Sequence, residues 1–309
     1  MSPGGASTRA GGWAPALAIA GAAVAWGLWW TPLRSLVALG VPGHLASALI
    51  YACAAALLAP LARRTVPRSR QAFAHPGGGA ALAGSLLLGA CFASWNGALL
   101  AGEVVRAVVL FYLSPLWTTA LVALHERALP GRPRQLALAL GVGGALTLLG
   151  SDGGLPLPRS TGDWLGLGSG MLFAGALVAI RHSRGAAHGL TDTARSFAAA
   201  ALCSLPLAFV LPATPGVPPA GAPWLAALGL AALIAALWVL PQTFALYWGS
   251  RQLDPGRVSL LMLLELVVAA ASAALLAGEL PNPREWLGCA LVLAAGLVDI
   301  APALRRRRG

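Results

Sequence analysis

The chain has no lysine. All 21 of its cationic side chains are arginines. Charge of either sign is scarce, at 10% of residues against roughly 25% in soluble domains, and that shortage excludes a soluble fold. No G-x-x-x-x-G-K-[ST] run occurs, which argues against ATP hydrolysis by this chain. The five histidines, His44, His75, His125, His182 and His188, fall at the ends of apolar runs or between them. None can therefore act as a base for Ser169 in Gly168-Ser169-Gly170, the nearest approach to a nucleophile signature. Four cysteines, Cys53, Cys91, Cys203 and Cys289, lie within apolar runs and lack metal-ligand or C-x-x-C spacing, so they read as packing residues. No metal, cofactor or nucleic-acid site is expected. The net charge of +11 reflects arginines facing anionic lipid headgroups.

What the chain has in abundance is apolar sequence, 58% of residues. Ten hydrophobic segments stand out: 13–33, 42–62, 80–101, 104–124, 135–151, 162–180, 193–212, 223–248, 256–277 and 284–302. Each approaches the roughly 20 residues needed to cross a hydrocarbon core. The expectation is an all-α integral membrane protein of ten transmembrane helices. The arginines fall on alternate loops. With the N-terminus inside, the inner segments hold Arg9; Arg63, Arg64, Arg68 and Arg70; Arg127, Arg132 and Arg134; Arg181, Arg184 and Arg195; Arg251 and Arg257; and Arg305 to Arg308. The outer loops hold only Arg34, Arg106, Arg159 and Arg284. This split of 17 to 4 places both termini in the cytoplasm. A cleaved signal peptide is the other reading of Arg9 and the apolar run after it. That run continues through Trp26, Trp29 and Trp30, which favours a retained first helix.

The ten segments divide five and five around the Gly- and Pro-rich link Ser151 to Asp163. Adding 151 to a first-half position lands on matching chemistry in the second: Trp13 on Trp164, Glu103 on Asp254, Arg106 on Arg257. Five spans per half invert the second half. The arginine-rich stretch 63–70 then maps onto 214–221, which faces outward and carries no charge. The chain is accordingly divided into repeats at 1–151 and 152–309, the second ending in the arginine-rich tail. Inverted repeats place a substrate site near the midplane between the halves.

Most acids and arginines near the spans lie close to a predicted end and can snorkel to the interface: Arg106, Arg195, Arg257, Asp163, Glu285 and Asp299. Glu265 cannot, because it is the tenth residue of its segment. An ionised carboxylate at that depth costs about 2.5–3.5 kcal/mol, so it is protonated, hydrogen-bonded or in contact with a wet cavity. It is a candidate for proton coupling or for binding a substrate amine; the alternative is a neutral tie between helices. Asn96, Tyr112, Ser114 and Gln242 are the polar candidates to line a cavity with it, and Ser114 maps onto Glu265 under the same shift. Each could equally serve helix packing. Trp13, Trp164, Trp224 and Trp286 open segments and suit the interfacial belt. Trp26 and Trp30, four residues apart, are expected on one helix face, as an aromatic wall for an apolar or cationic substrate or as a packing cluster. Pro115, Pro206 and Pro241 lie inside segments and are candidate hinges or static bends.

The sequence resembles the drug/metabolite transporter superfamily, EamA type, over essentially its whole length. The resemblance is carried by Ala25-Trp26-Gly27, by Phe111 to Trp117 (F-Y-L-S-P-L-W), and by Leu263 to Val267 followed by Gly278-Glu279. The pattern departs in two places: His125 precedes Glu126-Arg127 where the family has glycine, and Glu265 is followed by Leu266 rather than proline. The resemblance implies a secondary transporter exporting a small metabolite, such as an amino acid or related compound, across the bacterial inner membrane by alternating access. A monomer or homodimer in the lipid bilayer is expected. The competing readings are a channel or non-transporting sensor, against which stands the lack of any selectivity-filter loop, and an intramembrane enzyme.

Overall fold

A computed structural model describes residues 13–65, 78–126, 131–149, 158–183, 189–211, 223–250, 252 and 255–305. Arg9, Arg68, Arg70, Arg127, Arg184, Arg251, Arg306 to Arg308, His75, His188, Asp254, the 214–221 stretch and most of the link between the halves lie outside the described residues. All regular structure among the described residues is helical. The α-helices are α1 (Trp13–Gly27), α2 (Trp30–Ala38), α3 (Gly43–Thr65), α4 (Gly78–Ala101), α5 (Val104–Phe111), α6 (Ser114–Glu126), α7 (Arg132–Leu149), α8 (Thr161–His182), α9 (Gly189–Ser204), α10 (Trp224–Ile234), α11 (Leu240–Ser250), α12 (Pro255–Ser272) and α13 (Pro283–Arg305). Among the described residues, six helical stretches are long and apolar enough to cross a membrane: Trp13–Ala38, Gly43–Arg64, Gly78–Ala101, Val104–Leu121, Thr161–Ile180 and Trp224–Leu246. The chain is a multi-pass membrane protein.

Proline accounts for the interruptions. A proline inside a helix has no N–H for the carbonyl four residues back and its ring crowds that carbonyl. For Pro32 that carbonyl is Leu28, and α1 stops just before it. The Leu28 oxygen instead accepts from the Thr31 amide at 3.0 Å and the Thr31 hydroxyl at 2.8 Å. For Pro115 the carbonyl is that of Phe111, where α5 ends. For Pro241 it is Leu237, within a π-helical turn at Ala235–Val239. Before Pro206 the backbone tightens from α9 into a 3-10 turn at Leu205–Phe209. Pro60, also inside a segment, leaves α3 continuous.

The break at Leu28 and Trp29 corrects one expectation. Trp26 lies in the last turn of α1 and Trp30 opens α2, so the spacing of four does not put them on one face of one helix. Their surroundings also differ, as described below.

The tightest helix pairs join early sequence to late sequence. α4 packs on α8 and α9, α3 on α9, α7 on α13, and α1 on α11 and α12. The pattern is reciprocal under exchange of the two halves. The first stretch rests on the eighth and ninth, while the sixth, α8, rests on the third, α4, and on the fourth, formed by α5 and α6. The core accordingly lies where the halves meet, with Trp29, Tyr51, Leu110, Phe197 and Leu266 almost fully buried.

Candidate functional site

Glu265 lies near the middle of the stretch formed by α12 and the π-helical turn Ala273–Ala277 that follows it. Its side chain is buried and lines two adjoining chambers. One, of about 290 Å³, is walled by aromatic rings from several helices: Trp26, Phe92, Trp95, Phe111, Phe173 and Phe197, with Met262 beside the carboxyl. Trp95 and Phe111 have ring centroids 4.9 Å apart, Phe111 and Phe173 5.4 Å, and Trp26 stacks on Phe92 at 5.9 Å. The second chamber, of about 440 Å³, runs from Glu265 past Tyr112 and Ser114 to Arg134, in the first turn of α7. The Arg134 guanidinium donates to the Thr119 hydroxyl at 2.7 Å.

Tyr112 lines the second chamber and touches the carboxyl. It stands at the proline-induced gap between α5 and α6. Its hydroxyl is 2.8 Å from the Met262 carbonyl oxygen and 3.1 Å from Glu265 Oε2. The structure thus brings Trp26, Tyr112 and Ser114 together with Glu265. The other expected lining residues lie elsewhere. Asn96 accepts from the Trp29 indole at 2.8 Å and donates to Ser47 at 2.9 Å, and Ser47 in turn meets Ser204 at 2.8 Å. This polar ladder holds α4, α3 and α9 together. The Trp30 indole donates to Ser272 at 3.0 Å. Gln242 is buried against a separate groove between α1 and α11, beside Trp238 and Pro241.

One end of the bundle is charged. A cleft of about 620 Å³ there is lined by Glu103, Arg106, Arg159, Asp163, Glu279, Asn282 and Glu285. Arg106 does not snorkel, contrary to expectation, because the bundle buries it between partners from other helices. Its Nη2 is 2.9 Å from Asp163 Oδ2, its Nε donates to Asp163 Oδ1 at 3.2 Å, and its Nη1 is 3.9 Å from Glu285 Oε1. These three residues are 8%, 2% and 7% exposed. A buried charge needs such partners to offset its lost hydration.

Both acids also organise helix starts. Asp163 follows Ser160, whose hydroxyl accepts from the Asp163 amide at 3.0 Å. Glu285 and Asn282 cap each other reciprocally at the start of α13: the Asn282 amide donates to Glu285 at 2.9 Å and the Glu285 amide to Asn282 at 3.0 Å.

A second cluster lies at the same end. Arg34 pairs with Glu279 at 3.0 Å, donates to the carbonyls of Leu99 and Gly102, and sits 4.9 Å over the Trp30 ring. The other carboxyl oxygen of Glu279 accepts from the Val104 amide at 2.8 Å, capping α5. Gly278 turns the chain into this position with φ +68°, a conformation in which glycine carries no side-chain penalty. Sequence reasoning missed both clusters. Their only signal is that Arg34 and Arg106 stand on the arginine-poor side. It also missed the rings beyond Trp26, because aromatic residues in so apolar a chain look like packing.

The described residues thus form an all-helical bundle of multi-pass membrane type, with chambers between its helices. Residues 160–298, within the second half of the chain, match the EamA-like transporter family, which supports membership of the drug/metabolite transporter superfamily. No curated protein matches the chain. One solved crystal structure superimposes on 95% of this chain and 99% of its own with a TM-score of 0.57 at 21% identity, which shows a shared fold.

Proposed function

We propose that the protein is a secondary transporter that exports a small metabolite across the bacterial inner membrane by alternating access between two inverted five-helix repeats, residues 1–151 and 152–309. Ten crossings with both termini cytoplasmic fit the arginine distribution, and the reciprocal helix pairing supports the repeat. In this reading the charged end faces outward, and there the Arg34 and Arg106 clusters tie the helices shut. The chambers extend the other way, to Ile180 near the end of α8, Thr193 near the start of α9 and Arg134. The conformation is therefore one loaded from the cytoplasm.

The observation that carries the reading is Glu265, a lone carboxyl at mid-depth in an aromatic chamber. A carboxylate with nearby ring faces suits an apolar or aromatic solute bearing an ammonium group, including an amino acid or its amine relatives. Attraction between a cation and a ring adds about 0.5–2 kcal/mol where water is excluded. Glu265 also serves as the proton site, so that proton and ammonium compete for one carboxyl. Pro115, Pro206 and Pro241 are proposed hinges.

The test has two stages. Comparing intracellular and extracellular metabolites with and without overexpression identifies the exported solute. Counterflow of that solute in proteoliposomes is then expected to saturate. Non-saturating flux with measurable conductance would indicate a channel and sink the proposal.

A further inference from the structure

The Tyr112 hydroxyl has one proton and two oxygens within bonding distance. The Met262 carbonyl can only accept, and at 2.8 Å it is the nearer. Once the phenolic proton points there, the 3.1 Å contact to Glu265 Oε2 lacks a proton unless the carboxyl supplies it. An ionised carboxylate would face an oxygen lone pair instead. We propose that Glu265 is a carboxylic acid in this conformation, donating to Tyr112, and that Tyr112 is the positioning residue that fixes this state. This rests on the reading of Glu265 as the transport site.

The surroundings fit a neutral acid. Across the first chamber from Glu265 stands Cys91 on α4. Arg134 is at the far end of the second chamber, bonded to Thr119. Cys289 is buried on α13. Arg106, Asp163 and Glu285 are paired with one another toward the charged end. No cation pairs with Glu265 among the described residues. The phenol belongs to the first half and the acid to the second. Separating those segments removes the acceptor, and the acid then releases its proton to chamber water or to an arriving amine. Proton loading is thereby tied to conformation without a dedicated ion site.

The test uses infrared difference spectra of the full-length protein in lipid, titrated with pH, with Glu265→Gln identifying the acid carbonyl band. Wild type is expected to show that band, and Tyr112→Phe to lower the pH of its half-loss by about one pH unit, since the acid loses its acceptor. Had Tyr112 donated to a carboxylate, the same change would raise that pH. A rise, no movement, or no acid band in wild type overturns the proposal. Ring-deuterated tyrosine in a protein carrying Tyr51→Phe and Tyr247→Phe, which leaves Tyr112 as the one phenol of the three in the sequence, gives a second readout. The phenol C–O band is expected to mark a hydroxyl that both donates and accepts, and a donor-only signature overturns the proposal even if Tyr112→Phe fails to fold. Absence of saturable counterflow with these bands intact would refute the transport reading alone.

Discussion

The charged end and the middle of the bundle both bury carboxyl groups and treat them differently. Asp163, Glu279 and Glu285 each meet an arginine from another part of the chain and also receive backbone N–H groups at helix starts. Glu265 has one phenol, from a residue left at a helix break. The first arrangement satisfies every charge within the protein and so holds helices in place. The second leaves an acid whose partner must come from elsewhere, which is what a site that binds and releases requires. Polar groups at depth in a membrane protein are costly either way, and the difference between the two regions lies in whether the compensating charge is built in.

The comparison can be broken most severely at the charged end. Replacing Arg106 with alanine leaves Asp163 and Glu285 buried without their cation. It is expected to destabilise the fold by about 3–5 kcal/mol, read as a lower thermal midpoint in detergent, with Asp163→Asn in the same background recovering part of the loss. An unchanged midpoint would mean that the cluster is wet and carries little. In the middle, Glu265→Gln keeps shape and is expected to leave the thermal midpoint unchanged while cutting counterflow roughly tenfold or more. That corresponds to a charged hydrogen bond of about 1.5–3 kcal/mol. Normal flux with an unaltered pH profile would make Glu265 a structural tie.

A smaller effect is expected at Arg34, which is partly exposed. Arg34→Gln should shift the balance toward an open charged end by about 1 kcal/mol or less. This would be seen as a longer-distance population between spin labels at the exposed positions Ser35 and Leu280. A distribution identical to wild type would show that the Arg106 cluster alone closes this end. The mildest change is Phe92→Ala in the chamber wall. It should raise KM severalfold, in line with the roughly 0.5–1.5 kcal/mol of an aromatic contact, with kcat little altered. An equal loss in kcat would place Phe92 in the conformational step instead.

Much of the architecture is legible in the sequence because a membrane segment must satisfy its own backbone, and apolar runs bounded by arginine therefore announce helices. The interruptions were half legible. Pro115 and Pro241 mark where the ladder of hydrogen bonds fails, but only the structure shows that the gap before Pro115 falls on Tyr112 and turns its hydroxyl toward Glu265. Glu265 stood out because nothing ionisable lies near it in sequence. Phe92, Trp95, Phe111 and Phe173 could not stand out, since helix spacing alone does not tell a ring facing a cavity from one facing a neighbour. Asn96 shows the opposite failure. An amide at depth resembles a ligand-binding group, yet Trp29 and Ser47 occupy its polar atoms.

Near the Arg106 cluster the chain passes itself with nothing but hydrogen between the backbones. A methyl group at Gly162 would sit 2.6 Å from the Cα of Gly102. The packing of this end therefore depends on bareness as much as on charge, and a single carbon atom is enough of a wedge to disturb it. Gly162→Ala is expected to push the two backbones apart here with every ionic contact of the wild type still encoded in the gene.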